Sequence, residues 1–125
     1  ASISRWTNSL RNAIRQHPGH DELFGSFRRA AYTEGSELLF VHAAIDPGAP
    51  LTAQSDHLWW GSPAFRGLAQ PYAGFRRVIS GCNPRGEGAH LDAFTCCLDG
   101  GAGFGGTLNI ACFSLDGAIV ENFAI

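Results

Sequence analysis

Residues 37–47 read Glu-Leu-Leu-Phe-Val-His-Ala-Ala-Ile-Asp-Pro, and this stretch decides the architecture. Leu38-Leu39-Phe40-Val41 is short and continuously apolar, the pattern of a strand covered on both faces rather than one that alternates between core and solvent. It ends at His42, where two alanines lead into a proline turn. A histidine at the end of a buried strand is held rigidly while its ring meets the loops, which is how many ligand sites are built. A lone histidine there can equally be a core group bonded to a neighbouring carbonyl.

Upstream, Trp6, Leu10, Ala13 and Ile14 recur at helical spacing across residues 2–14, with Arg11 and Arg15 placed late, where they suit the helix dipole. His17-Pro18-Gly19-His20 breaks that helix. Leu23, Phe24, Phe27, Ala30 and Ala31 resume a period of three to four, so a second helix is expected over 21–32. Downstream, strands are expected near 38–43, 77–80, 93–98, 107–114 and 118–123, the last two joined at Asp116-Gly117, a strong hairpin signal. Helices followed by a run of strands make the chain α+β: one mixed, mainly antiparallel sheet with the N-terminal helices packed on one side.

The 125 residues suit a single domain, able to bury roughly two thirds of the unfolded chain's surface. A net charge of -2 leaves no overall footprint for nucleic acid or an anionic membrane, and neither is expected as a partner. No apolar run approaches a membrane span and no signal-peptide core opens the chain, so a cytoplasmic location is expected. Cys96 and Cys97 are adjacent and would point to opposite faces of a strand, so the four cysteines are expected to be free thiols. The absence of methionine suggests a processed or partial chain.

Several segments together resemble the calcineurin-like metallophosphoesterases, the superfamily of the Ser/Thr protein phosphatases and diadenosine tetraphosphatases. Residues 41–47 are similar to that family's Val-His-Ala-Gly-Ile-x-Pro, whose histidine binds one of two active-site metals; the matching residue is His42. Gln54 and Leu58-Trp59 resemble a segment followed in the family by an arginine that holds the substrate phosphate. Gly61 stands at that position, with Arg66 the nearest replacement. Residues 78–84 resemble Val-Val-x-Gly-His-Thr-Pro, with Cys82 in place of a metal-binding histidine. Leu98, Asp99, Gly101, Ala102, Phe104, Gly105, Gly106 and Leu108 match a glycine-rich segment whose role reads as structural, its glycines allowing close backbone approach beside a packed aromatic.

The resemblance runs from about residue 20 onward and covers only the second half of such an enzyme. It implies the C-terminal part of the family's αββα sandwich and, with the other half supplied, a divalent pair of manganese, iron or zinc. The family's Asp-x-His, Gly-Asp and Gly-Asn-His-Glu motifs are not in the sequence. Removing most ligands removes both the phosphate clamp and the metal-bound nucleophile. This chain alone is therefore expected to be a degenerate, inactive, pseudoenzyme-like unit with no cofactor of its own and no catalytic residue, serving structure or partner binding. Two alternatives stay open. One is half of a working hydrolase; the other is an unrelated Cys/His metal module built from Cys82, Cys96 or Cys97, and His42 or His90. The sheet face meant for the other half is expected to be covered by a second copy or by that missing half.

Overall fold

A computed structural model describes residues 3–61, 67–83, 86 and 88–125. The elements in order are α1 (Ile3–Arg15), α2 (His20–Ser26), β1 (Ala30–Tyr32), β2 (Leu38–Val41), a 3-10 turn (Leu51–Ala53), α3 (His57–Trp60), β3 (Arg77–Ser80), β4 (His90–Leu91), β5 (Thr95–Cys97), a second 3-10 turn (Ala102–Phe104), β6 (Asn109–Phe113) and β7 (Ile119–Ala124). The fold is α+β, with a five-stranded mixed sheet in the order β1-β2-β3-β5-β4 and a separate two-stranded sheet of β6 and β7. Three of the five pairings are antiparallel, while β2, β3 and β5 run parallel at the centre of the large sheet.

The apolar run of β2 takes a central place because both its faces are covered. Leu39 and Val41 join Val78 of β3 under Ile45, Leu58, Tyr72 and Phe75. On the opposite face Leu38, Ile79 and Cys96 are covered by Phe113 and Ile119 of the β6–β7 hairpin, with Phe40 and Leu98 at the margin. Cys96 and Cys97 are both buried for the same reason: successive residues of a central strand meet two covered faces. All four cysteines are free, as expected.

Two expectations change. The second helix ends at Ser26, and residues 30–32 instead form β1, antiparallel to β2 with Ala30 opposite Val41 and Tyr32 opposite Leu39. Gly25 and Ser26 are weak helix formers, and the open edge of β2 offers the following residues a complete backbone ladder. Neither α1 nor α2 carries a buried residue; the two touch each other, and an apolar surface remains in solvent where packing on the sheet was expected.

A buried glutamine fixes the loop after β2. Gln54 accepts from the Asp46 N–H at 2.8 Å, and its amide reaches the carbonyls of Asp46 (2.7 Å) and Ala49 (2.9 Å) and the Tyr72 hydroxyl (2.8 Å). Tyr72 in turn donates to the Ala49 carbonyl at 2.8 Å. Arg77 does the same for the hairpin: its guanidinium donates to the carbonyls of Gly117 (2.6 Å), Asp92 (2.6 Å) and Thr95 (3.1 Å), fastening the turn before β7 to the large sheet.

Candidate functional site at the carboxyl ends of the parallel strands

Ligands of open sheets with parallel strands gather beyond the carboxyl ends of those strands. Here the ends of β2, β3 and β5 lead directly into His42, Gly81-Cys82-Asn83 and Asp99. Val41 pairs with Ser80 and Ser80 with Cys97, so the three exits are level. The Gly81 N–H donates to the His42 carbonyl at 3.0 Å and the Leu98 N–H to the Ser80 carbonyl at 2.9 Å, which carries the alignment one step past the ladder. His42 and Cys82, nearly a third of the chain apart in sequence, thus leave adjacent strands at one edge.

His42 is exposed, and its Nδ1 lies 2.5 Å from the Trp59 carbonyl oxygen. A carbonyl can only accept, so Nδ1 carries a proton and donates it to Trp59. Among the described residues Nε2 meets no hydrogen-bond partner. Metal-binding histidines are commonly fixed in this way, by giving the other ring proton to a carbonyl. The supporting carbonyl belongs to the short α3, whose position is set by the Ala43 N–H donating to Leu58 O (3.0 Å) and the Ala44 N–H donating to His57 O (3.2 Å).

Gly61 closes α3 with φ +67° and ψ −166°, its N–H on the His57 carbonyl at 2.8 Å. That backbone state belongs almost solely to glycine. An arginine at this position, as the resemblance requires for holding phosphate, would strain the turn that aims the Trp59 carbonyl at His42. Arg66, the replacement expected from sequence, lies outside the described residues.

Asp99 is the residue that sequence reasoning assigned only to a structural loop. Its carboxylate accepts from the Asn83 N–H at 2.7 Å and the Gly101 N–H at 2.9 Å, so it ties the loop after β3 to the loop after β5. These two backbone donors, with a smaller contribution from the charge of His42, hold its pKa below the ordinary carboxylate range. The same carboxylate, second to burial itself, pushes the Cys82 thiol up. Cys82 is therefore a poor nucleophile near neutral pH. In a timed reaction with a thiol-modifying reagent followed by peptide mass spectrometry, the exposed Cys112 should label first, Cys82 well behind it, and the buried Cys96 and Cys97 only after unfolding. Labelling of Cys82 ahead of Cys112 would contradict this environment.

The other expected donors are placed elsewhere. Cys96 and Cys97 are enclosed within β5; His90 faces the Gly88 carbonyl (3.1 Å) and Asp92 (3.7 Å). Gln54 is a scaffold group. The glycine segment does bring backbones together, since a Cβ on Gly100 or Gly106 would lie 2.2 Å from Thr107 O or 2.1 Å from Gly100 O. Its aromatic, however, is not packed: Phe104, in the 3-10 turn at 102–104, is 100 % exposed.

No family model, curated protein or solved structure matches this chain. The site must therefore be judged on its own donors. Among the described residues no three of His, Cys, Asp and Glu form a metal-holding group. One imidazole, one thiol and a carboxylate already accepting from two backbone donors are too few to hold a pair of divalent ions. What the arrangement offers by itself is a single oriented histidine beside a fixed carboxylate.

Proposed function

We propose that this chain is the C-terminal part of a metallophosphoesterase-like protein, inactive alone, that retains a structural or partner-binding role. The observation that carries the reading is the convergence of His42 and Cys82 at the ends of neighbouring parallel strands, the two positions at which the resemblance puts metal-binding histidines. Inactivity is supported by the donor set: hydrolysis in that family needs a clamp and a metal-bound hydroxide, and these residues supply neither. Incubated with p-nitrophenyl phosphate and manganese, the purified chain is expected to release p-nitrophenol no faster than buffer. Turnover that disappears in His42→Ala would overturn the reading.

One feature favours a second reading, that of a half-site completed by another polypeptide. His42 is exposed and its ring is fixed through Nδ1 by the Trp59 carbonyl, as metal-binding histidines commonly are. In that case the missing Asp-x-His and Gly-Asn-His-Glu motifs lie in a segment encoded upstream, and manganese, iron or zinc would bind only to the joined protein. Such a segment, or a second copy of the chain, is also the proposed cover for the apolar side chains left exposed on the hairpin, among them Leu108, Phe123 and Ile125. Among the described residues no helix is long and apolar enough to cross a membrane. Four free thiols suit a reducing compartment, which supports placing the protein in the cytoplasm.

A further inference from the structure

The first 29 residues differ in charge from everything after them. They hold five basic groups (Arg5, Arg11, Arg15, Arg28, Arg29) against Asp21 and Glu22, a net of +3, whereas the remainder holds four basic and nine acidic groups, a net of -5. The overall -2 conceals this division. A charge asymmetry of this kind points to an anionic partner for the basic segment.

The helices add an apolar face. At about 100° per residue, Ile3, Trp6, Leu10, Ala13 and Ile14 of α1 fall within an arc of about 100°, and the three arginines with every other polar residue occupy the rest. The helix contains no acidic side chain. The apolar arc is not used by the fold: Ile3 is 82 % exposed, Trp6 65 % and Leu10 48 %. Leu23, Phe24 and Phe27 are exposed beside it, and Leu10, Ile14 and Phe24 line a shallow groove between α1 and α2. The Arg15–Asp21 pair at 3.0 Å is itself in solvent and neutralises little of the positive field.

We infer that α1 and α2 form a docking element for an anionic lipid surface, lying flat with Ile3, Trp6 and Leu10 in the interfacial layer and the arginines among the lipid phosphates. Segregated faces, an arginine-bearing polar side and an aromatic anchor are the marks of helices that rest in a membrane interface. A protein groove would ask for one narrow ridge of side chains. Here the exposed apolar groups spread over two short helices as a broad, shallow surface beside the arginines of α1, with Asp21 and Glu22 confined to the first turn of α2 and Arg29 turned to Ser55 and Asp56, which fits a planar partner better. The inference does not depend on the phosphoesterase reading, since none of these residues approaches His42 or Asp99 in the ladder or loop contacts.

The test is co-sedimentation of the full chain with vesicles of phosphatidylcholine alone and with added phosphatidylglycerol. Binding is expected only with the anionic lipid. It should weaken roughly tenfold when salt shortens the screening length to about 3 Å, and roughly tenfold or more in the double variant Trp6→Ser, Leu10→Ser, whose melting should match the parent because neither side chain is buried. Equal binding to uncharged vesicles, no binding at all, or binding indifferent to the double variant would each overturn the inference. A dimer that ignores vesicles but falls apart in the same variant would overturn it too, and would assign the face to a second copy of the chain.

Discussion

Leu39→Ala is expected to cost about 3 kcal/mol, the largest loss of any single truncation proposed for this chain. The side chain is fully enclosed, 0 % exposed, at the centre of the cluster formed with Val41, Ile45, Leu58, Tyr72, Phe75 and Val78. Its neighbours are themselves held in place: Val78 by the ladder with β2 and β5, Tyr72 by Gln54 and the Ala49 carbonyl. A cavity at this point can close only in part, so the lost transfer energy and the void both count. Against a total stability of about 5–15 kcal/mol, the midpoint of thermal unfolding followed by circular dichroism should fall by about 10 °C or more. Ile3→Ala, on the exposed arc of α1, should leave the midpoint nearly unchanged. A shift at Leu39 no larger than that at Ile3 would mean the core lies elsewhere.

Asp99→Ala is expected to cost about 2 kcal/mol through a different mechanism. Both oxygens accept from backbone donors, and one of these is the N–H of the buried Asn83, which would lose this charged acceptor. The sign of the pH dependence follows from the lowered pKa. A carboxyl whose folded pKa lies below its unfolded value stabilises fully above the unfolded value, near 4, and loses that contribution as pH falls through the still lower folded value. Glu37, through the Thr33 hydroxyl, and Asp116, through the Ser114 hydroxyl, are lowered as well and act in the same direction. Urea unfolding should therefore show the parent weakening from about pH 4 downward, with the gap between parent and Asp99→Ala narrowing over the same range. A gap that stays constant to pH 2 would show that the carboxylate does not act as a charged acceptor.

The parts of this fold legible in the sequence are those whose local pattern admits one partner. The run Leu38–Val41 announces a strand covered on both faces, and it is one; α1 follows from its apolar period and begins and ends within a residue or so of the expected bounds. Residues 30–32 were not legible, because Ala-Ala-Tyr continues a helical period as readily as it fills a sheet edge, and only the vacancy beside β2 decides between them. The division of the strands into two sheets was hidden for a related reason. Asp116-Gly117 between two strand-like runs specifies a hairpin, but not whether that hairpin extends the large sheet or forms a separate one.

At the site, His42 and Cys82 could be singled out because each follows a recognisable strand, and register then brings the strands side by side. The supporting groups could not. A backbone carbonyl such as that of Trp59 has no signature in sequence, and Asp99 followed by Gly100 reads first as a turn. Its second role comes from the direction of two N–H groups, one of them 16 positions away.

The β6–β7 ribbon shares no ladder with the five-stranded sheet; it is fastened by Arg77 at one end, by the Asn109 amide on the Leu98 carbonyl at 3.0 Å, and by Phe113 and Ile119. Cooperativity in this molecule is consequently uneven. Separating the ribbon would break no rung between β2, β3 and β5, yet it would uncover Leu38, Ile79 and Cys96, so the hairpin acts as the lid of one face of the core.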